Sequence, residues 1–85
     1  MITIKFVGGA KKSFSTDQQE FDVDDITIEN LLELLLEKKP KDTPTLDTNN
    51  ILIAVNGADS SAMDGKMTRI KNGDLISIIP VIHGG

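Results

Sequence analysis

Gly73-Asp74-Leu75-Ile76-Ser77-Ile78-Ile79-Pro80-Val81-Ile82-His83-Gly84-Gly85 is the stretch from which the rest of this chain is read. Gly-Asp is turn chemistry, the run from Leu75 to Ile79 is of strand type, and Pro80 has no amide hydrogen with which to extend a ladder. Ser77 is the one polar residue in the apolar run, so it is expected to face water. Ile76 and Ile78 then point to the core, while Leu75, Ser77, Ile79 and Val81 lie on the opposite side. A single helix covers only one face of a sheet, which leaves Leu75, Ile79 and Val81 as an apolar patch of the kind that binds partners. The alternative is that these three sit in a second layer of core beneath a long loop.

Past Pro80 the sheet pairing is expected to fade, giving a domain of residues 1–79 and a flexible tail of residues 80–85. Two glycines add no bulk, so an extended Gly84-Gly85 can thread a narrow channel and present the α-carboxylate of Gly85 inside a partner. That carboxylate, with a pKa near about 3.5, is ionised at neutral pH and can attack the α-phosphate of ATP where a partner supplies metal and positive charge. The acyl adenylate formed is open to capture by a sulfur or an amine nucleophile. The chain has no phosphate-binding loop and no acid–base constellation of its own, so it reads as substrate and carrier rather than as an enzyme. Gly85 and Gly84 form the reacting end, and Leu75, Ile79, Val81, Ile82 and His83 are the expected partner contacts. No cofactor and no metal site are expected within the chain, ATP being used by the partner.

Upstream, Ile2, Ile4 and Phe6 alternate with Thr3 and Lys5 as a strand with one buried face. Gly8-Gly9 ends it, and residues 10–19, with Phe14 their one large apolar residue, read as a loop. Phe21 and Val23 alternate with acidic residues, which predicts a second strand pairing with the first as a wide hairpin. Thr27 is placed to cap a helix of about residues 28–39, with Ile26 and Leu31 at the spacing of a hydrophobic staple and Glu29 at its positive end. Ile28, Leu31, Leu32, Leu35 and Leu36 give it a broad apolar face, and Pro40 forbids continuation. Residues 40–50 read as a loop pinned by Leu46. Ile51–Val55 reads as a buried strand closed by Asn56-Gly57, and Met67 and Ile70 as caps on the lower edge of the core. The order strand, strand, helix, strand, short piece, strand predicts an α+β roll, with a four- or five-stranded mixed sheet packed on one main helix.

At 85 residues and 9.2 kDa the chain allows one modest core and no deep active site. It has no cysteine, which removes disulfides, thiolate ligands and thiol nucleophiles. A net charge of −4 and a pI near 4.7 argue against nucleic acid as a direct partner. No signal peptide is visible, and no apolar run approaches the length of a membrane span, so a cytoplasmic setting is expected. Asp22, Asp24 and Asp25 lack the remaining ligands of a calcium loop and read as a solvated strand end. His83, the single histidine, reads as a solvated spacer, and the lysines as surface charges. Composition alone would place two glycines at a chain end in roughly one chain in 200, so the pair carries weight mainly with the strand and Pro80 before it.

With Val55-Asn56-Gly57, Gly73-Asp74, the apolar strand, Pro80 and Gly84-Gly85 in view, the chain resembles the β-grasp sulfur carriers and ubiquitin-like modifiers. These include the molybdopterin synthase small subunit, the thiamine-pathway sulfur carrier, and the ubiquitin-related and small archaeal modifiers. The resemblance implies a β-grasp fold, adenylation of the Gly85 carboxylate by an activating enzyme of the ubiquitin-E1 type, and conversion to a thiocarboxylate. It also implies a sulfur-accepting synthase or thiolation enzyme, or target proteins, as further partners, with Ile79 at the partner-facing position before the proline. Molybdopterin-type members carry Pro-Pro where this chain has Pro80-Val81, and His83 is closer to the ubiquitin-related modifiers, so molybdopterin, thiamine and tRNA thiolation all remain open as pathways. Two other functions stay beside the carrier reading: a modifier conjugated through Gly85 to lysines of target proteins, and an interaction module without chemistry at its tail.

Overall fold

The computed structural model describes residues 1–81; Ile82, His83, Gly84 and Gly85, named above as contacts and reacting end, lie outside the described residues. In chain order the elements are β1 (Ile2–Phe6), α1 (Gly9–Phe14), β2 (Gln18–Phe21), β3 (Asp25–Thr27), α2 (Ile28–Lys38), β4 (Ile51–Val55), β5 (Ala58–Asp59), β6 (Arg69–Lys71) and β7 (Leu75–Pro80). Short 3-10 turns, Ser60–Ala62 and Gly65–Met67, connect β5 to β6. The five-stranded mixed sheet runs β2-β1-β7-β4-β5, and a separate ribbon pairs β3 with β6. This is the α+β, β-grasp arrangement expected.

The period-2 pattern of β1 translates directly into burial: Ile2, Ile4 and Phe6 are fully covered, and Lys5 is exposed. It pairs antiparallel with β2 and parallel with β7, so the last strand is central in the sheet. In α2 the Thr27 hydroxyl accepts from the Asn30 amide at 3.2 Å, as the cap reading requires. Ile28, Leu31, Leu32 and Leu35 are buried against the sheet, with Ile26 half-buried on the same core. Leu36 is not part of that face: it stands 42% exposed. The helix closes at Lys38, whose ammonium lies 5.4 Å from the centre of the Phe21 ring. Leu46 is buried and pins the long loop, as expected.

Three other regions depart from the sequence reading. Residues 9–14 form a helix rather than a loop, with Ala10, Ser13 and Phe14 buried. Six residues with no side-chain cap are too few to hold a helix in water; packing of Phe14 on Phe6, with centroids 4.6 Å apart and planes 13° from parallel, supplies the stabilisation. The second strand stops at Phe21, so Val23 lies beyond it, and residues 25–27 pair with residues 69–71. There Arg69 donates to both carboxylate oxygens of Asp25, at 3.0 and 2.7 Å, which makes Asp25 an ion-pair partner rather than a free solvated end. Ile70 is fully buried in that ribbon as expected, but Met67 is 61% exposed and caps nothing.

Candidate functional site

The reading of the closing strand rests on its register, which is held at its entry by one asparagine. The β4–β5 turn places Asn56 and Gly57 at φ 52 and 87, both positive, as a two-residue hairpin turn of the twisted kind requires. From that position the Asn56 side chain donates to Asp74 Oδ1 at 3.0 Å and accepts from the Leu75 amide at 2.9 Å. Its backbone amide donates to the Leu75 carbonyl at 2.8 Å. Asp74 in turn accepts from the Lys71 amide at 2.8 Å through its second carboxylate oxygen. Asn56 and Asp74 therefore clamp the first residue of β7, and a slip of one residue would turn every side chain of the strand over.

With that register, Ile76 and Ile78 are fully buried and Leu75 is 40% exposed, so the strand faces the way Ser77 indicated. Leu75, Ile79 and Val81 are not a second core layer: Leu75 and Val81 are exposed and Ile79 is half-buried. The cross-strand partners define their surroundings. Ile79 lies beside Leu52 and Ser77 beside Ala54 on β4, while Leu75 lies beside Thr3 and Ser77 beside Lys5 on β1. Leu75 and Val81 are roughly 20 Å apart along the strand. The structure therefore brings Ile79, Leu52 and Val81 together near the exit of the strand, and sets Leu75 apart beyond Ser77. Leu52 and Ala54 were not singled out from sequence, because an unbroken apolar run such as Ile51–Val55 hides which residues face outward; the strand pairing reveals it.

Pro80 ends the pairing on one side only. The Val7 amide donates to the Ile78 carbonyl at 3.0 Å as the last bond towards β1, and by the alternation of amide directions Pro80 is where the next donor on that side would stand. Towards β4 the ladder continues: Pro80 is opposite Ile51, and the Val81 amide donates to the Asn50 carbonyl at 2.8 Å. At Pro80 the expected fading thus affects one side only, and among the described residues pairing towards β4 reaches Val81. Asn50 is itself held, its side chain donating to Asp47 Oδ2 at 2.5 Å beside an Asn49 amide donating to Oδ1 at 3.0 Å. These bonds, Asn50's first, hold the Asp47 carboxyl below the usual range. The exit of the strand is a defined point on the surface, tied through Asp47 and Asn50 to the loop that Leu46 anchors.

Among the described residues no group of three or more His, Asp or Glu side chains is gathered to hold a metal ion. No helix among them is long and apolar enough to cross a membrane.

A model of the ThiS family matches residues 4–85, which takes in the closing strand and the Gly-Gly pair. The chain belongs to the ThiS family. Its structural relatives are β-grasp sulfur carriers and ubiquitin-like modifiers. The solution structure of Urm1 from Trypanosoma brucei is 27% identical, with a TM-score of 0.77 over 99% of this chain and 94% of that one. Small archaeal modifier protein 1 from Methanosarcina acetivorans is 21% identical, with a TM-score of 0.71 over 99% and 95%. Subunits 1 and 2 of molybdopterin-converting factor from Helicobacter pylori were solved as a protein–protein complex, and one of its chains is 23% identical with a TM-score of 0.64 over 99% and 97%. No curated protein matches the chain. In this ThiS-family chain the Asn56-Gly57 turn and Asp74 are the clamp that sets where β7 begins.

Proposed function

We propose that this ThiS-family protein is a sulfur carrier whose Gly85 α-carboxylate is activated by an adenylating enzyme of the E1 type. The observation that carries the reading is that the family match runs through the Gly84-Gly85 pair. In the proposed reaction a Gly85 carboxylate oxygen attacks the α-phosphate of ATP, forming an acyl adenylate and releasing pyrophosphate. The terminal sulfur of a donor persulfide then attacks the acyl carbon and AMP leaves with the carboxylate oxygen; a second donor thiol attacks the other sulfur of the resulting acyl disulfide, which releases the thiocarboxylate and leaves a disulfide on the donor. The activating enzyme supplies the cations that neutralise the phosphates. In this account the chain is a substrate and not a catalyst, binds no cofactor itself, and works in the cytoplasm with no direct nucleic-acid or membrane partner.

The outer face of the sheet supports the partner side of this reading. Ile79, Leu52 and Val81 present apolar surface beside the exit of β7, so a partner docked there would meet Ile82, His83 and the glycines next. That a relative was solved with its second subunit fits such docking by the activating enzyme or by a sulfur-accepting synthase. The likeness to a small archaeal modifier protein supports a second reading, in which an amine rather than sulfur captures the adenylate and Gly85 ends in an isopeptide bond to a target lysine.

Intact-mass measurement after incubation with the cognate activating enzyme, ATP and a sulfur donor separates these. Replacement of one oxygen by sulfur on the chain is the expected result. Higher-mass conjugates with a Gly-Gly remnant on lysine would favour the modifier, and no ATP-dependent change with the authentic enzyme would leave only an interaction module.

A further inference from the structure

A second surface lies round the sheet edge from the one just described. β4 pairs with β7 along its whole length, but on its other side β5 reaches only Ala54 and Val55. Ile51, Leu52 and Ile53 there border a groove of about 290 Å³ floored by Ile28 and Leu32 of α2. The groove continues past Leu32 and Lys66 towards the exposed Leu36, running beside Glu29 and Glu33. Because the Asn50 carbonyl points to β7, alternation directs the backbone groups of Leu52 and Ala54 to the same neighbour. Those of Ile51 and Ile53 are directed to the other side, towards the groove that Ser60 and Ser61 border beyond β5.

We propose that this groove takes up an extended segment of a partner protein, alternating basic and apolar, as an added strand along Ile51–Ile53. An open strand edge is a template for another extended chain, and an added strand sends alternate side chains to opposite sides. Apolar side chains on one side would rest on Ile28 and Leu32. Charge selects the rest of the sequence: Glu29 and Glu33 stand on the helix lip and Asp59 on the strand lip, against Lys66 as the one cation among the described lining residues. A helical occupant would leave the strand edge unused, and an acidic one would meet three carboxylates. The site is independent of the chemistry proposed for Gly85, although Val81 also lines it, so a bound segment lies beside the departing end of β7.

The test uses the full chain, isotope-labelled, and a fluorescent octapeptide alternating lysine and valine. Saturable binding that moves the amide signals of Ile51, Ile53 and Leu32, but not that of Leu75, is the expected result. Methylating the backbone amides of the valines in one peptide and of the lysines in another should weaken at least one of the two by about tenfold. A glutamate–valine peptide should bind more weakly than the lysine peptide. The Glu29→Lys, Glu33→Lys double variant, both positions being exposed on α2, should cut lysine-peptide binding by about three- to tenfold and improve glutamate-peptide binding, with an unchanged circular-dichroism spectrum confirming the fold, since lysine at the positive end of α2 lowers the melting temperature. Absence of saturable binding, equal binding of the two peptides, insensitivity to both methylations, or signals moved only at Leu75 and Ile79 would overturn the proposal.

Discussion

Ile78 and Ile79 are the same residue type, adjacent in one strand, and they meet opposite fates. Ile78 is fully buried in the core, while Ile79 is half-buried beside Leu52 on the uncovered face. Nothing intrinsic to isoleucine separates them; the alternation of the strand and the clamp at its start do. One strand thus serves the core with one face and offers a surface with the other, and both roles depend on a register set by Asn56 and Asp74.

The comparison is broken most directly by truncating each residue in turn. Ile78→Ala should cost about 2–5 kcal/mol, a large share of the roughly 4–13 kcal/mol expected for a domain of this size, and urea melting would show it. Ile79→Ala should cost about 1 kcal/mol or less; equal losses would mean that the two faces are equally buried. Between these lies the clamp. Asn56→Ala removes the side-chain bonds to Asp74 and Leu75 and places alanine at positive φ, so a loss of about 1–2 kcal/mol is expected in the same melts. Ile79→Asp should weaken binding to the activating enzyme in titration while costing less stability than Ile78→Ala, which sharpens the contrast from the functional side.

The smallest effect belongs to the exposed pair in the β3–β6 ribbon. Hydrogen bonding from Arg69 holds the Asp25 carboxyl below its ordinary value, with the Arg69 and Lys71 charges adding to this. A folded-state pKa depressed in this way contributes stability above the unfolded value and loses it as pH falls through the folded one. Asp25→Asn should therefore be slightly less stable than the parent chain at neutral pH, and the difference should vanish in acid; a gap that widens on acidification would contradict the assignment.

The parts of the fold legible in the sequence were those with strong local periodicity. The alternation in β1, the capped stripe of α2 and the single serine in β7 each carry their own geometry. The short helix of residues 9–14 was not legible, because its stabilisation comes from Phe14 meeting Phe6 across the fold and not from local preference. The β3–β6 ribbon joins segments 44 residues apart through the Asp25–Arg69 pair, and no local pattern announces it. Leu36 and Met67 were misplaced for a related reason: periodicity says that a residue could be covered, while only the width of the sheet says whether it is. At the site, the outward facing of Leu75, Ile79 and Val81 was readable from Ser77. Leu52 became visible only once β4 was seen opposite β7, and the pairing of Val81 only once Pro80 was seen to end the ladder on one side alone.

The account turns on Gly85 as the group that is activated, with the folded body serving to present it. ATP–pyrophosphate exchange by the cognate activating enzyme, measured with the intact chain and with a chain lacking Gly85, tests this most directly. The account predicts exchange with the intact chain and none with the shortened one, although both melt at the same temperature. Undiminished exchange with the shortened chain, or none with the intact one, would contradict it.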